Sequence, residues 1–207
     1  MAFSENQIYL ASRSLRRREL LKQIGVKYNI LLMRETLSRP ADIDETPLPN
    51  ESPNDYIFRV TNTKAEAGWL RVTQRQLPPF PVLVADTIVT LDGRILGKPS
   101  NKAHAAETLN ALSGRSHQVL TAIGIVYKND IQVKLSTTTV RFREITQHEI
   151  NSCIEHDKVY DKAGAYAIQG LAAAFIVEIS GSYSGVKGLP LFETSQLLEE
   201  VGIKVFK

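Results

Sequence analysis

The chain has 207 residues, of which 43% are hydrophobic, 23% charged and 7% aromatic. That length supports one sizeable domain, or two small ones around a shared cleft. With 12 glycines and 9 prolines it is not a collagen-like, low-complexity or largely disordered chain. The 25 basic residues against 22 acidic ones leave +3, too little to wrap a nucleic acid, so an anionic partner must be met by basic residues focused at one site.

In chain order, Gln7 to Ala11 reads as a short strand, Ser12 to Leu15 as a turn, and Arg16 to Ile24 as a helix closed by Gly25. Tyr28 to Met33 reads as a strand. Arg34 to Pro53, with Pro40, Pro47, Pro49 and Pro53, reads as a long surface loop. Ser52-Pro53 then offers a capping hydroxyl followed by proline at the first helical position, opening a helix that runs toward Gln76. Pro81 to Leu91 is an apolar, β-branched strand. Asp92-Gly93 signals a hairpin, and Arg94 to Gly97 returns. Lys102 to Leu112 is helical, and Gln118 to Tyr127 and Ile131 to Phe142 are long strands joined at Lys128-Asn129-Asp130. Thr146 and Glu149 form a capping box for a helix to about Glu155. Ala172 to Ile179 reads as a strand, Leu191 to Val201 as a helix ended by Gly202, and Ile203 to Phe206 as a last strand. The expectation is an α/β protein with a mixed central β-sheet and flanking helices.

Local pattern fails at five places, and such places are where function is sought. Ser12-Arg13-Ser14-Leu15-Arg16-Arg17-Arg18 sets arginines at a helix N-terminus, where the dipole disfavours each cation by roughly 0.3–1 kcal/mol. A bound phosphate would reverse that penalty, and splaying of the side chains into solvent would reduce it. Asp86 interrupts an apolar strand, as the partner of a buried base or as a site residue at a strand end. Gly97-Lys98-Pro99 holds a lysine between two backbone specialists. Asp161 to Gly170 mixes charged, small and aromatic residues without period, as ligand-holding loops do. Gly181-Ser182-Tyr183 with Gly188-Leu189-Pro190 matches neither a dinucleotide fingerprint nor a P-loop.

The four histidines (His104, His117, His148, His156) lack metal-ligand spacing, so they read as surface or structural, and any metal should be a hard divalent ion on carboxylates and phosphate oxygens. Cys153 is the only cysteine. It sits in a helical pattern, reads as structural rather than nucleophilic, and favours a reducing compartment. No apolar run reaches membrane-spanning length and Met1 to Gln7 is polar, so a soluble cytoplasmic protein is expected.

These segments together resemble the Maf family of nucleoside triphosphate pyrophosphatases. The resemblance is carried in order by Leu10 to Leu21, Ala85-Asp86-Thr87-Ile88-Val89, Gly97-Lys98-Pro99, Leu112 to His117, Asp161 to Tyr166, Ile168-Gln169-Gly170 and Gly181-Ser182-Tyr183 with Gly188 to Leu191. One departure is Leu15, where the family usually has proline. A second is Gly185, where asparagine is common.

The resemblance implies a single domain over 1–207 with the Maf/ITPase-like arrangement, two lobes around a nucleotide cleft, often as a dimer. It implies hydrolysis of a nucleoside triphosphate to monophosphate and pyrophosphate with Mg²⁺ or Mn²⁺. Asp86 matches the catalytic aspartate. Arg16, Thr87 and Gln169 match positions tied to base selectivity, and Glu45, Lys64 and Lys98 match charged cleft residues. On this reading Glu45 and Asp86 hold the metal, and Ser12, Arg16, Arg17, Lys64 and Lys98 meet the triphosphate. Asp161 to Gly170 follow the branch acting on dTTP and UTP.

Two rival expectations are a 7-methyl-GTP pyrophosphatase of the same family and a non-catalytic nucleotide-binding regulator of cell division. Single-strand nucleic-acid binding through Arg13 to Arg18 would call for interleaved aromatics, and that segment has none.

Overall fold

The computed structural model describes residues 6–33, 43–128 and 130–205. The expected loop from Arg34 is therefore described only from Ile43, and Asn129 and Phe206 lie outside the described residues. The elements are β1 (Gln7–Leu10), α1 (Leu15–Gln23), β2 (Lys27–Ile30), α2 (Pro53–Gln74), β3 (Val82–Leu91), β4 (Arg94–Leu96) and α3 (Lys102–Leu112). There follow β5 (Ser116–Tyr127), β6 (Asp130–Phe142), α4 (Gln147–His156), β7 (Ile176–Ser180), α5 (Tyr183–Lys187) and α6 (Leu191–Glu200).

Their ends sit where local chemistry puts them. The Ser52 hydroxyl accepts from the Asp55 N–H with Pro53 in the first turn of α2, and Thr146 and Glu149 close a reciprocal capping box on α4. Asp92 and Gly93 both take positive φ, 52° and 75°, the twist that a two-residue hairpin requires.

The seven strands form one mixed sheet in the order β2-β1-β3-β5-β6-β7, with β4 on β3. Strand β1 is parallel to β2 and β3, while β4 runs antiparallel to β3 and β7 antiparallel to β6. By packing the chain divides into two compact units. The first comprises Met1–Asp86, Ala122–Leu135 and Gly188–Lys207, and the second Thr87–Thr121 and Ser136–Lys187.

In the first unit the start of β3 is buried on both faces, and strand alternation sorts its neighbours. Val82 and Val84 join Tyr9, Leu31, Ala65 and Val72 on the α2 side. Leu83 and Ala85 pack with Leu20, Leu21, Leu197 and Leu198 from α1 and α6. Gly68 of α2 permits the close approach: a Cβ there would stand 3.0 Å from Val82 Cγ1.

In the second unit Val89 and Leu91 pack with Leu109 and Leu112 of α3 and with Ile150, Cys153 and Ile154 of α4. Cys153 is buried and its thiol is pushed up to about 11, chiefly by burial, as its structural reading requires. His117 is only 2% exposed. It shares a 2.8 Å hydrogen bond with the Tyr166 hydroxyl and meets the Phe142 ring edge-on at 4.9 Å.

Two expected strands differ from what forms. Leu171–Phe175 of the expected Ala172–Ile179 strand is a 3-10 turn, and the strand begins at Ile176. Alanines have weak strand preference, and the Asp157 carboxylate captures the Leu171 N–H at 2.8 Å, starting the turn instead. Ile203 to Val205 pair with no strand. The Asn6 side-chain amide donates to the Lys204 carbonyl and its oxygen accepts the Lys204 N–H, standing in for a neighbouring strand while Ile203 and Val205 enter the core. The helix α5 after Gly181 had no clear sequence signal.

Burial lowers the His117 pKa from 6.5 to about 4. Between those values the unfolded chain takes a proton that the folded chain refuses, so the contribution is intact above pH 6.5 and lost as pH falls toward 4. Glu51 and Glu149, whose acids are held near 2 by Arg59 and Arg143, add their own loss only below about 4.5. Thermal melts from pH 7 to pH 5 should show falling stability, and His117→Gln should flatten that slope. Equal slopes in both proteins would exclude His117 as the source.

Candidate active site

Strand β3 carries its apolar rows up to Ala85 and then presents Asp86 and Thr87, the two residues of the strand that are not buried. Asp86 continues the row of Val82 and Val84 toward α2, because side chains two apart share a face. There Lys64 of α2 meets it, Nζ to Oδ1 at 2.6 Å, and the same ammonium lies 2.8 Å from Glu45 Oε1. The Lys64 and Asp86 side chains keep only 14% and 15% of their exposure, against 48% for Glu45. Two carboxylates thus converge on one cation, the first from the sheet and the second from the extended segment before α2.

The arginine turn lies in the same unit, and it is more internally bonded than its sequence suggests. Ser14 caps α1 by accepting from the Arg17 N–H. Arg17 donates from Nε to the Gly188 carbonyl at 2.8 Å and from Nη1 to Ser12 Oγ at 3.2 Å. Ser12 Oγ also accepts the Ser14 N–H at 3.2 Å, so its hydroxyl proton is what it can still offer an anion. Burial lowers the Arg17 pKa; Asp86 opposes that, Arg16 adds to it and Glu45 opposes it. Arg16 sits half-buried in the first turn of α1. Exposed Leu15 occupies the first helical position, where proline would be tolerated.

Ser12, Arg16, Arg17, Glu45, Lys64 and Asp86 therefore belong to one unit, and Arg17 feels the charges of Arg16, Glu45 and Asp86 directly. Thr87, Lys98 and Gln169 belong to the other. Thr87 lies 3.1 Å from the Thr121 hydroxyl, which also donates to the Gly185 carbonyl at 2.8 Å. Lys98 is exposed, and the carbonyl of its neighbour Gly97 accepts the Gly164 N–H. That bond ties the lysine loop to the Asp161–Gly170 segment. Gly164 takes φ +70°, and a Cβ there would come within 2.9 Å of Val89, so only glycine lets the segment lie so close to β3. Gln169 is exposed at the turn that follows, braced by Tyr166 on His117 and by Asp157 on Leu171.

Two residues beside the charge cluster escaped the sequence reading. The Tyr56 hydroxyl donates to the Glu45 carbonyl at 2.9 Å, and its pKa is pushed up to about 12 by burial and by Asp86 and Glu45. Arg59 binds Glu51 through both oxygens and donates to the Thr46 carbonyl. Their spacing along α2, with Lys64 farther on, was the available signal, but it looked like an ordinary amphipathic helix. Among the described residues no three His, Cys, Asp or Glu side chains gather as a metal cluster.

The sequence pattern of the Maf-like protein family matches residues 7–201. A Nitrosomonas europaea protein named dTTP/UTP pyrophosphatase is 68% identical over 201 residues, 97% of each chain. Proteins of the same name from Nitrosospira multiformis and Aromatoleum aromaticum are 58% and 51% identical; the first alignment covers 100% of each chain, and the second 95% of this chain and 96% of that one. The Staphylococcus aureus Ham1 protein overlays 66% of this chain and 71% of its own at TM-score 0.45 and 19% identity, a likeness too loose to argue from.

Arg17→Lys keeps the charge but loses the planar fork that spans Ser12 and the Gly188 carbonyl. It should lower unfolding stability by about 1–3 kcal/mol in urea titrations, the range for a buried acceptor left unpaired. A midpoint equal to the parent's would mean that the fork contributes nothing in solution.

Proposed function

The chain belongs to the Maf-like proteins, and from that membership we propose that it hydrolyses dTTP and UTP to the nucleoside monophosphate and pyrophosphate. The observation that carries the reading is the charge cluster Glu45–Lys64–Asp86, its lysine and sheet carboxylate largely withdrawn from solvent, in a chain so similar to proteins of that name. A triphosphate needs cations, and a water attacking its α-phosphorus needs an oriented carboxylate. Lys64 and Asp86 offer one of each midway along β3, rather than at the strand end that the sequence suggested as one alternative.

On this reading Asp86 orients the water and accepts its proton, as the oxygen–phosphorus bond forms and the bond to the pyrophosphate oxygen breaks. Lys64 holds Asp86 in place and presents its ammonium to developing phosphate charge. Ser12 donates its hydroxyl, and Arg16, Arg17 and Lys98 add positive charge for the phosphate chain. The Gln169 side chain offers a donor and an acceptor, which suits the edge of uracil or thymine, and Thr87 contributes a hydroxyl.

A divalent cation fits this donor set. Glu45 and Asp86 already converge on a single cation, and their hard oxygens, supplemented by phosphate oxygens and water, match Mg²⁺ or Mn²⁺. Such an ion would supply charge neutralisation at the phosphates. We further propose a cytoplasmic setting, consistent with a buried, unpaired Cys153; no helix among the described residues is long and apolar enough to cross a membrane.

The test is a hydrolysis panel of canonical, modified and 7-methylated triphosphates with Mg²⁺ and Mn²⁺, reading pyrophosphate and orthophosphate. Pyrophosphate release favouring dTTP and UTP is expected. Preference for 7-methyl-GTP, or no turnover, would overturn the proposal. Asp86→Asn should cut turnover by about a hundredfold or more with the fold retained. Undiminished turnover in the folded variant would remove Asp86 from the chemistry. Gln169→Ala should blur the ranking of bases while the affinity for the phosphate chain persists; an unaltered ranking would exclude Gln169 as the reader.

A further inference from the structure

Glu45 lies in a segment without helix or strand, and its side chain is about half exposed, yet its carboxylate meets Lys64 at 2.8 Å. Something other than burial must hold it there. The successive carbonyls of Glu45 and Thr46 are both tied to α2. Tyr56 donates to the carbonyl of Glu45 at 2.9 Å, and Arg59 Nη2 to that of Thr46 at 3.1 Å.

Arg59 is itself fixed. It makes a two-pronged pair with Glu51 at 2.6 and 2.8 Å and stacks its guanidinium 5.5 Å from the Tyr56 ring centre. Glu51 in turn accepts the Leu48 N–H at 3.0 Å, closing the segment from its other end. The Glu51 side chain is 7% exposed, and its acid is pulled to about 2, first by Arg59. A planar guanidinium is suited to this task because one group bridges a carboxylate and a carbonyl in fixed geometry.

We propose that Arg59 and Tyr56 are positioning residues that clamp the backbone at Glu45 and thereby set its carboxylate against Lys64 and Asp86. The clamp and the ammonium come from the same helix, so α2 fixes both the cation and the approach of the second carboxylate. The functional part rests on the reading that Glu45 serves the hydrolysis; the structural part does not.

The experiment has two arms. Hydrogen–deuterium exchange on the purified full chain should show faster exchange over residues 43–48 in Arg59→Ala, with α2 and β3 still protected. Tyr56→Phe, which removes one hydroxyl, should show a smaller change in the same segment. Unchanged exchange there in both variants overturns the clamp. The second arm is a double-mutant cycle on UTP hydrolysis. Arg59→Ala should lower kcat/KM about tenfold in the parent but less than about twofold in a Glu45→Gln background, because its effect passes through Glu45. Equal losses in both backgrounds, which a general loss of stability would give, overturn the positioning role. A parent chain that does not hydrolyse UTP or dTTP instead sinks the proposed function, and the exchange arm still decides the clamp.

Discussion

A carboxylate that continues an apolar row of a β-strand has to be met by a cation, and the Asp86–Lys64 pair is the interaction on which the rest of this site depends. Val82 and Val84 commit the α2-facing side of β3 to the core, and Asp86 follows them with only 15% of its side chain exposed. Left alone there it would bear a desolvation cost that packing could not offset. Lys64 answers it from a helix whose register is fixed by Gly68 on Val82 and by Ala65 and Val72 in the same core. The core therefore positions the charges, leaving the Lys64 ammonium between two carboxylates midway along β3.

Strand alternation also separates roles. Asp86 faces the side of α2, whereas Thr87 shares its face with Val89 and Leu91, the side on which Gly164 closes against β3. Two adjacent residues of one strand thus belong to two compact units: Asp86 lies with Glu45 and Lys64 in the first, and Thr87 with Gln169 in the second.

Much of the fold is legible in the sequence wherever the signal is local. Caps at Ser52 and Thr146 and the Asp92-Gly93 hairpin depend on side chains within a few residues, so their chemistry is written in the sequence itself. Asp86 was conspicuous because it broke a pattern. What was not legible depended on partners far along the chain. The alanine segment 171–175 turns because Asp157 reaches its N–H, and Lys204 pairs with the side chain of Asn6, nearly two hundred positions away. For Arg17 the sequence left two alternatives, meeting a phosphate or splaying into solvent; its tie to the Gly188 carbonyl makes it a brace of the turn.

Tyr56 and Arg59 were missed for a deeper reason. They sit on an amphipathic helix, where an aromatic and an arginine at that spacing are ordinary, and nothing in their own neighbourhood breaks a rule. Their importance lies in what they hold. The segment 43–48 has no ladder or helix of its own, and ordering each such residue costs about 1–2 kcal/mol of backbone entropy. Those costs are offset in part by bonds to α2, which meets the successive carbonyls of Glu45 and Thr46. A carboxylate delivered in this way can be withdrawn by loosening a few hydrogen bonds, whereas one anchored in a strand, like Asp86, cannot.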